Sequence, residues 1–290
     1  MMDRRRFLEL GLAGAAVGAG RVVGATERGA TPALAGFRHS VCRWPYSSLL
    51  SVDALAGMAR ELGIHSLELL EPEEWAIARR HGLECAMGYA RVSEPRFRLT
   101  RGWNRVENHE WLIPAYEAGI SEAAAAGVPS LICFSGNRDG LSDEAGLANC
   151  ARGLREILPT AERHGVTVCM ELLNSRVDHR DYQCDRTPWG VALVDRVGSP
   201  RFRLLYDIYH MQIMEGDVIR TIRGAREHIG HYHTGGVPGR NEIDGSQELH
   251  YPAIMRAIAE TGFTGYVGQE FIPTREPRTA LAEAIRICTV

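Results

Sequence analysis

The chain contains no lysine: all 33 of its basic residues are arginine. Schiff-base catalysis through a lysine amine, including attachment of pyridoxal phosphate, is therefore excluded. Cysteine is sparse and unpatterned. Seven are scattered along 290 residues, with no Cys-x-x-Cys and no zinc-finger spacing. They read as small core residues rather than a disulfide framework or a structural zinc site. Neither sign of charge is in excess. A net charge of -3 offers no general attraction to nucleic acid or to an anionic membrane, so neither is expected as a partner. Also missing is a run able to span a bilayer, because the apolar stretch near the start, residues 10–20, is too short. No repeat and no second domain are visible. What remains, 45% hydrophobic and 24% charged residues, is the composition of a soluble globular chain.

The first 25 or so residues read as an export signal. Asp3-Arg4-Arg5-Arg6-Phe7-Leu8 is followed by a Gly/Ala-rich, weakly apolar run, the layout of a twin-arginine signal. Val23-Gly24-Ala25 offers small residues for cleavage near 25, and Ala33-Leu34-Ala35 offers a second site near 35. Glu9 departs from the usual pattern. A basic N-terminal helix is the alternative. The expectation is a periplasmic protein carried by the twin-arginine machinery, with residues 36–290 as one domain.

Beyond that signal, strand-like and helix-like segments alternate. Strands are expected over 37–44, 66–70, 84–90, 128–134, 166–173, 202–207, 229–234 and 266–272. Helices are expected over 52–62, 71–81, 112–126, 142–164, 188–197, 218–228, 251–260 and 277–287. The polar stretch 91–110 reads as a long loop, and long loops in compact domains usually serve a site. Eight βα units in roughly 250 residues predict an α/β fold, a (β/α)8 TIM barrel. An open, doubly wound sheet is the alternative. Arg43-Trp44-Pro45 stands where its Gly-rich phosphate loop belongs.

In a barrel the site lies at the C-terminal ends of the strands. Four successive strands carry an acid or imidazole there, among apolar neighbours: Glu171, Asp207, His231 or His233, and Glu270. Each has an ordinary explanation, as a helix cap, a core histidine or the partner of an arginine. Together in one pocket, three carboxylates would repel and protonate unless a cation held them. Oxygen ligands with one nitrogen suit a divalent ion of the Mn2+, Mg2+ or Co2+ type, with positions left for substrate.

Four segments carry a family resemblance. Met170-Glu171-Leu172-Leu173-Asn174-Ser175-Arg176, Tyr206-Asp207 through Asp217, Val237-Pro238-Gly239-Arg240-Asn241-Glu242 and Gln269-Glu270-Phe271 resemble the hydroxypyruvate isomerase family. That family lies within the xylose isomerase-like barrels, which also include ketose 3-epimerases. The resemblance implies metal ligands Glu171, Asp207, His233 and Glu270, with Glu171 and Glu270 also carrying protons, and His210 and Arg240 holding substrate oxygens. Glu242 and His231 are further candidates. The implied reaction is aldose–ketose proton transfer through an enediolate, on a small sugar or hydroxy-carbonyl compound. Hydroxypyruvate isomerases commonly have glutamine at the position of His233, and Ile243-Asp244-Gly245-Ser246 replaces the usual Gly-Thr-Gly. With the export signal, these departures open an alternative: a periplasmic lyase, hydrolase or epimerase of keto-sugars or 3-keto-glycosides at the same metal. A nuclease and a sugar-binding protein without turnover are further readings, and a homo-oligomer is compatible with all of them.

Overall fold

The computed structural model describes residues 36–290. The export signal at 1–25 and both cleavage positions lie outside the described residues. Nine parallel strands form one sheet. They are β1 (Arg38–Cys42), β2 (Ser66–Glu68), β3 (Glu84–Cys85), β4 (Gly88–Tyr89), β5 (Ser130–Cys133), β6 (Thr167–Glu171), β7 (Phe202–Asp207), β8 (Ile229–Thr234) and β9 (Tyr266–Gln269). Their order is β3-β2-β1-β9-β8-β7-β6-β5-β4. β3 and β4 are two pieces of one stave. The first pairs with β2 and the second with β5, and a Leu70–Gly88 bridge carries the ladder across the gap. The sheet thus closes into an eight-stave barrel, as predicted. Apolar side chains bury most strand positions on both faces, as parallel strands under a helical coat require.

Between the strands run α1 (Val52–Glu61), α2 (Trp75–Arg80), α3 (His109–Ala126), α4 (Asp143–His164), α5 (Thr187–Val197), α6 (Ile208–Met214), α7 (Val218–Ala225), α8 (Tyr251–Glu260) and α9 (Pro277–Cys288). Local chemistry fixes several boundaries. Ser51 and Ser142 cap α1 and α4 by accepting the amides of Ala54 and Ala145. Gly127, Gly165 and Gly198 end α3, α4 and α5 in the left-handed conformation. Several expectations need correction, among them the unbroken strand over 84–90, which is split into β3 and β4. Residues 208–214 form a helix where none was expected, because Asp207 caps it. Residues 226–228 make a separate 3-10 turn instead of continuing α7.

The 91–110 segment returns to the top of the barrel. The amides of Trp103 and Asn104 donate to the carbonyls of Phe134 and Ser135, just past β5, at 3.2 and 2.9 Å. That approach leaves no room at Gly102, where a Cβ would sit 2.3 Å from the Phe134 carbonyl oxygen. Gly102→Ala is expected to cost about 1–3 kcal/mol, the usual range for overpacking. Thermal unfolding should show it as a lower Tm, and limited proteolysis should cut the 91–110 segment faster. An unchanged Tm would mean that this contact does not hold the segment.

Candidate metal and proton-transfer site

Strand geometry brings the four expected ligands together. Glu171 is the last residue of β6 and Asp207 the last of β7. His233 is the penultimate residue of β8, and Glu270 follows β9 directly. Register places Asp207 opposite His233, and His233 opposite Gly268. One ligand atom from each of the four lies within 4.8 Å of all the others, and all four residues are buried.

The cluster holds more negative than positive charge. Arg240 Nη2 donates to Asp207 Oδ2 at 2.8 Å and to Glu270 Oε2 at 2.7 Å. His233 Nδ1 lies 2.6 Å from Glu270 Oε2 and 3.5 Å from Glu171 Oε1. Trp44 Nε1 also donates to Glu270, through Oε1. These neighbours sort the carboxylates. Burial alone would raise Glu270, but Arg240 and His233 outweigh it and hold Glu270 well below the usual carboxylate range. Glu171 is raised, by burial first and then by the charge of Glu270, against the opposing pull of His233. Burial pushes Asp207 up to about 7, against Arg240 and with help from Glu270 and Glu171.

Asp207 divides its two oxygens between two tasks. Oδ1 accepts the amide of His210 at 3.1 Å and caps α6, while Oδ2 faces Arg240 and the cluster. The cap and the arginine partner that explain an ordinary aspartate are both present, and Oδ2 still faces the other acids.

His210 is fully buried, and a chain of hydrogen bonds fixes its tautomer. Asn174 Oδ1 accepts the backbone amides of Val177 and Asp178, both at 2.9 Å. Its amide orientation is thereby set, and Nδ2 is the group that donates to His210 Nδ1 at 2.7 Å. Nε2 must then carry the proton of the neutral ring. Burial, with Arg240 and His179 nearby, lowers the His210 pKa and keeps the ring neutral. Nε2 has no hydrogen-bond partner and lies 3.6 Å from Asp207 Oδ2. It is a prepared donor.

Arg240 is 9% exposed and sits in a hairpin closed by the Gly236–Asn241 bridge, with φ of 58°. Its carbonyl accepts the amide of Ile272 at 2.6 Å. A non-glycine residue in the left-handed region is uncommon and concentrates at functional positions. Its Nε has no hydrogen-bond partner.

Glu171, Glu270 and Arg240 form the floor of a cleft of about 250 Å3, whose walls include Trp44, Tyr89, Phe134 and Leu173. Sequence reasoning did not single out Trp44, Arg98 or His179, which also line it. Arg98 and His179 come from parts of the chain where neither periodicity nor strand position marks a residue, whereas Trp44, expected to end the first strand, opens a 3-10 turn just past it. It also passed over Glu68, which is fully buried and lies 2.6 Å from His231 and 3.5 Å from His233. An acid inside the apolar strand Ser66-Leu67-Glu68-Leu69-Leu70 was the available signal. Of the two further candidates, His231 pairs with Glu68 outside the four-residue cluster. Glu242 accepts the amides of Thr274 and Arg275 at 2.7 and 3.0 Å, tying the loop after β8 to the loop after β9.

The donor set fits a hard divalent cation. Three carboxylates and one imidazole nitrogen are the ligands such ions take. Glu171 Oε1 is buried with no hydrogen-bond partner, as expected of an atom whose partner is a cation.

The chain as a whole is similar to known proteins. The chain is 26% identical over 243 residues to a putative hydroxypyruvate isomerase of Homo sapiens, covering 82% of this chain and 80% of the relative. It is 29% identical over 241 residues to a 2-oxo-tetronate isomerase of Cupriavidus necator, covering 79% and 89%. Among solved structures, a family 2 AP endonuclease from Brucella melitensis superposes with a TM-score of 0.76 at 24% identity, over 86% of this chain and 99% of that one. At that identity the likeness is one of fold. A family model described as the xylose isomerase-like TIM barrel matches residues 58–289, most of the chain. The chain belongs to the xylose isomerase-like TIM barrel family.

Proposed function

We propose that the chain is a divalent-metal-dependent isomerase that moves a proton between adjacent carbons of a small hydroxy-carbonyl compound. The observation that carries this reading is the convergence of Glu171, Asp207, His233 and Glu270 on one point, two of them, Glu171 and Glu270, lining a cleft. That the reaction is an isomerisation rests on the relatives, named as isomerases of hydroxypyruvate and of 2-oxo-tetronate. Mn2+, Mg2+ or Co2+ held by the four residues would draw charge from a carbonyl and its neighbouring hydroxyl, so that the C–H between them becomes acidic. Glu171 takes that proton with the carboxylate oxygen not given to the cation, exchanges it with solvent, and delivers a proton to the adjacent carbon of the enediolate. Glu270, bonded to Arg240 and Trp44, is the second proton carrier. His210 donates from Nε2 to a substrate oxygen. Arg240 offers its free Nε and remaining hydrogens to a carboxylate or a hydroxyl pair.

The test is to incubate the manganese-loaded protein in D2O with hydroxypyruvate and a panel of ketoses. The reading expects isomerised product carrying one solvent deuteron. A substrate converted without any exchange throughout the panel would count against proton transfer through a side chain. The aromatic walls, Trp44, Tyr89 and Phe134, favour a second reading with a larger substrate. A keto-sugar or 3-keto-glycoside ring could stack there, with the same site serving an epimerase, lyase or hydrolase. Product analysis on 3-keto-glycosides separates the two: cleavage or inversion supports the second, aldose–ketose interconversion the first.

Export follows from the first residues and is part of the same proposal. Replacing Arg4 and Arg5 together with lysine keeps the charge but removes the paired guanidinium groups. The double variant is expected to stay in the cytoplasm while the wild type reaches the periplasm, as fractionation would show. Equal periplasmic yields would remove the twin-arginine assignment.

A further inference from the structure

The ring of His233 is faced by acids on both sides. Nδ1 points to Glu270 and Glu171, and Nε2 lies 3.5 Å from Glu68 Oε1. Glu68 comes from β2, and two strands, β1 and β9, separate β2 from β8 in the sheet. It reaches the histidine because β9 carries glycine at 268: a Cβ there would fall 1.6 Å from Glu68 Oε1 and 2.9 Å from His233 Cδ2. The other oxygen, Oε2, makes an ion-pair contact with His231 Nε2 at 2.6 Å. Cys42 Sγ donates to Oε1 at 3.5 Å. The two imidazole rings stand edge to face, 5.2 Å apart at 88°. Glu68 and His233 are fully buried and His231 is 3% exposed. Among the described residues, the ion-pair partners of Glu68 are these two histidines and no arginine. Burial opposes it, but the neighbouring His231 and His233 hold Glu68 down at about 2. A barrel needs no such acid for packing, because an apolar residue would fill the place without desolvating a charge.

We infer that Glu68, backed by His231, is the positioning residue of His233: its carboxylate faces Nε2 and keeps Nδ1 directed at the cation point shared with Glu171, Asp207 and Glu270. An acid on the far nitrogen fixes the tautomer and orientation of a ligating imidazole and strengthens it as a donor. Removing such a partner typically weakens metal binding 10- to 100-fold. His231 acts one step further out, by holding Glu68 in line. This inference rests on the metal-site reading above, although not on the reaction.

The experiment uses the full chain and Co2+ alone, by calorimetry and by visible absorption of the bound ion. In Glu68→Gln, Co2+ affinity is expected to fall about 10- to 100-fold, with a shifted absorption band. His231→Asn should lose less, and should add little when combined with Glu68→Gln, because the two act in series. A merely structural Glu68–His231 pair would change thermal stability and leave the affinity and spectrum of the folded protein alone. Unchanged affinity and spectrum in Glu68→Gln therefore overturn the inference. If that variant does not fold, His231→Asn takes its place, and unchanged affinity and spectrum there overturn the inference equally. A wild type that binds no Co2+ sinks the metal site and this inference together, whereas one that binds Co2+ but turns over no substrate sinks only the proposed reaction.

Discussion

Glu171→Gln is expected to lower substrate proton exchange with D2O by about 10^3-fold, within the usual range for losing a general base. The amide has the shape of the carboxylate and can still offer an oxygen to a cation, but it cannot take a proton. Oε1 of Glu171 is the buried oxygen of the cluster without a hydrogen-bond partner, and burial raises this residue's pKa. Glu270 is different. Arg240, His233 and Trp44 all contact it and hold it ionised. Loss in Glu270→Gln is thus expected to include weakened metal binding, and added Mn2+ should restore part of it, whereas no added metal should rescue Glu171→Gln. NMR of the exchanging position reads both. Exchange at the wild-type rate in metal-saturated Glu171→Gln would remove that residue as the base.

The second large effect is expected at Asp207. Asparagine keeps an oxygen for the His210 amide, so Asp207→Asn should still cap α6. It removes a negative charge from the cation point, and Co2+ or Mn2+ affinity should fall by at least about 100-fold, the upper end of what outer partners alone contribute. Stability of the metal-free protein should move in the opposite direction. Burial lifts Asp207 from an ordinary 3.8 to about 7. A carboxylate whose folded pKa is raised favours the folded state at low pH and loses that contribution as the pH rises through about 7. In chelator, Asp207→Asn should therefore melt above the wild type at pH 8, with the gap narrowing toward pH 4. Calorimetric melts at several pH values check the sign. A variant less stable than wild type at pH 8 would mean that the bond to Arg240 outweighs the burial of the charge.

The sequence made the last four staves legible because each ends with an ionisable residue where an apolar one is usual. Glu171, Asp207, His233 and Glu270 could be picked out singly, and alternation of strands and helices said that they share one end of a barrel. Glu68 was legible only as an acid inside an apolar strand; its role depends on two strands lying between it and His233 and on the missing side chain at Gly268. The same limit hid α6. The strand was expected to end at Asp207, with a helix cap as one ordinary explanation of that residue, but only the bond from the His210 amide to Asp207 shows that a helix begins at once. Pairing of β3 with β2 and of β4 with β5 is likewise long-range, so the expected strand 84–90 carried no sign of the break. Arg98 and His179 reach the cleft from loops, whose paths no local pattern sets.

The central claim is that one cation binds where side chains from the last four staves converge. Crystals soaked in Mn2+, with diffraction recorded at the manganese absorption edge, test it directly. The account predicts one strong anomalous peak enclosed by Glu171, Asp207, His233 and Glu270. No peak there, with Arg240 still bonded to Asp207 and Glu270, would contradict it.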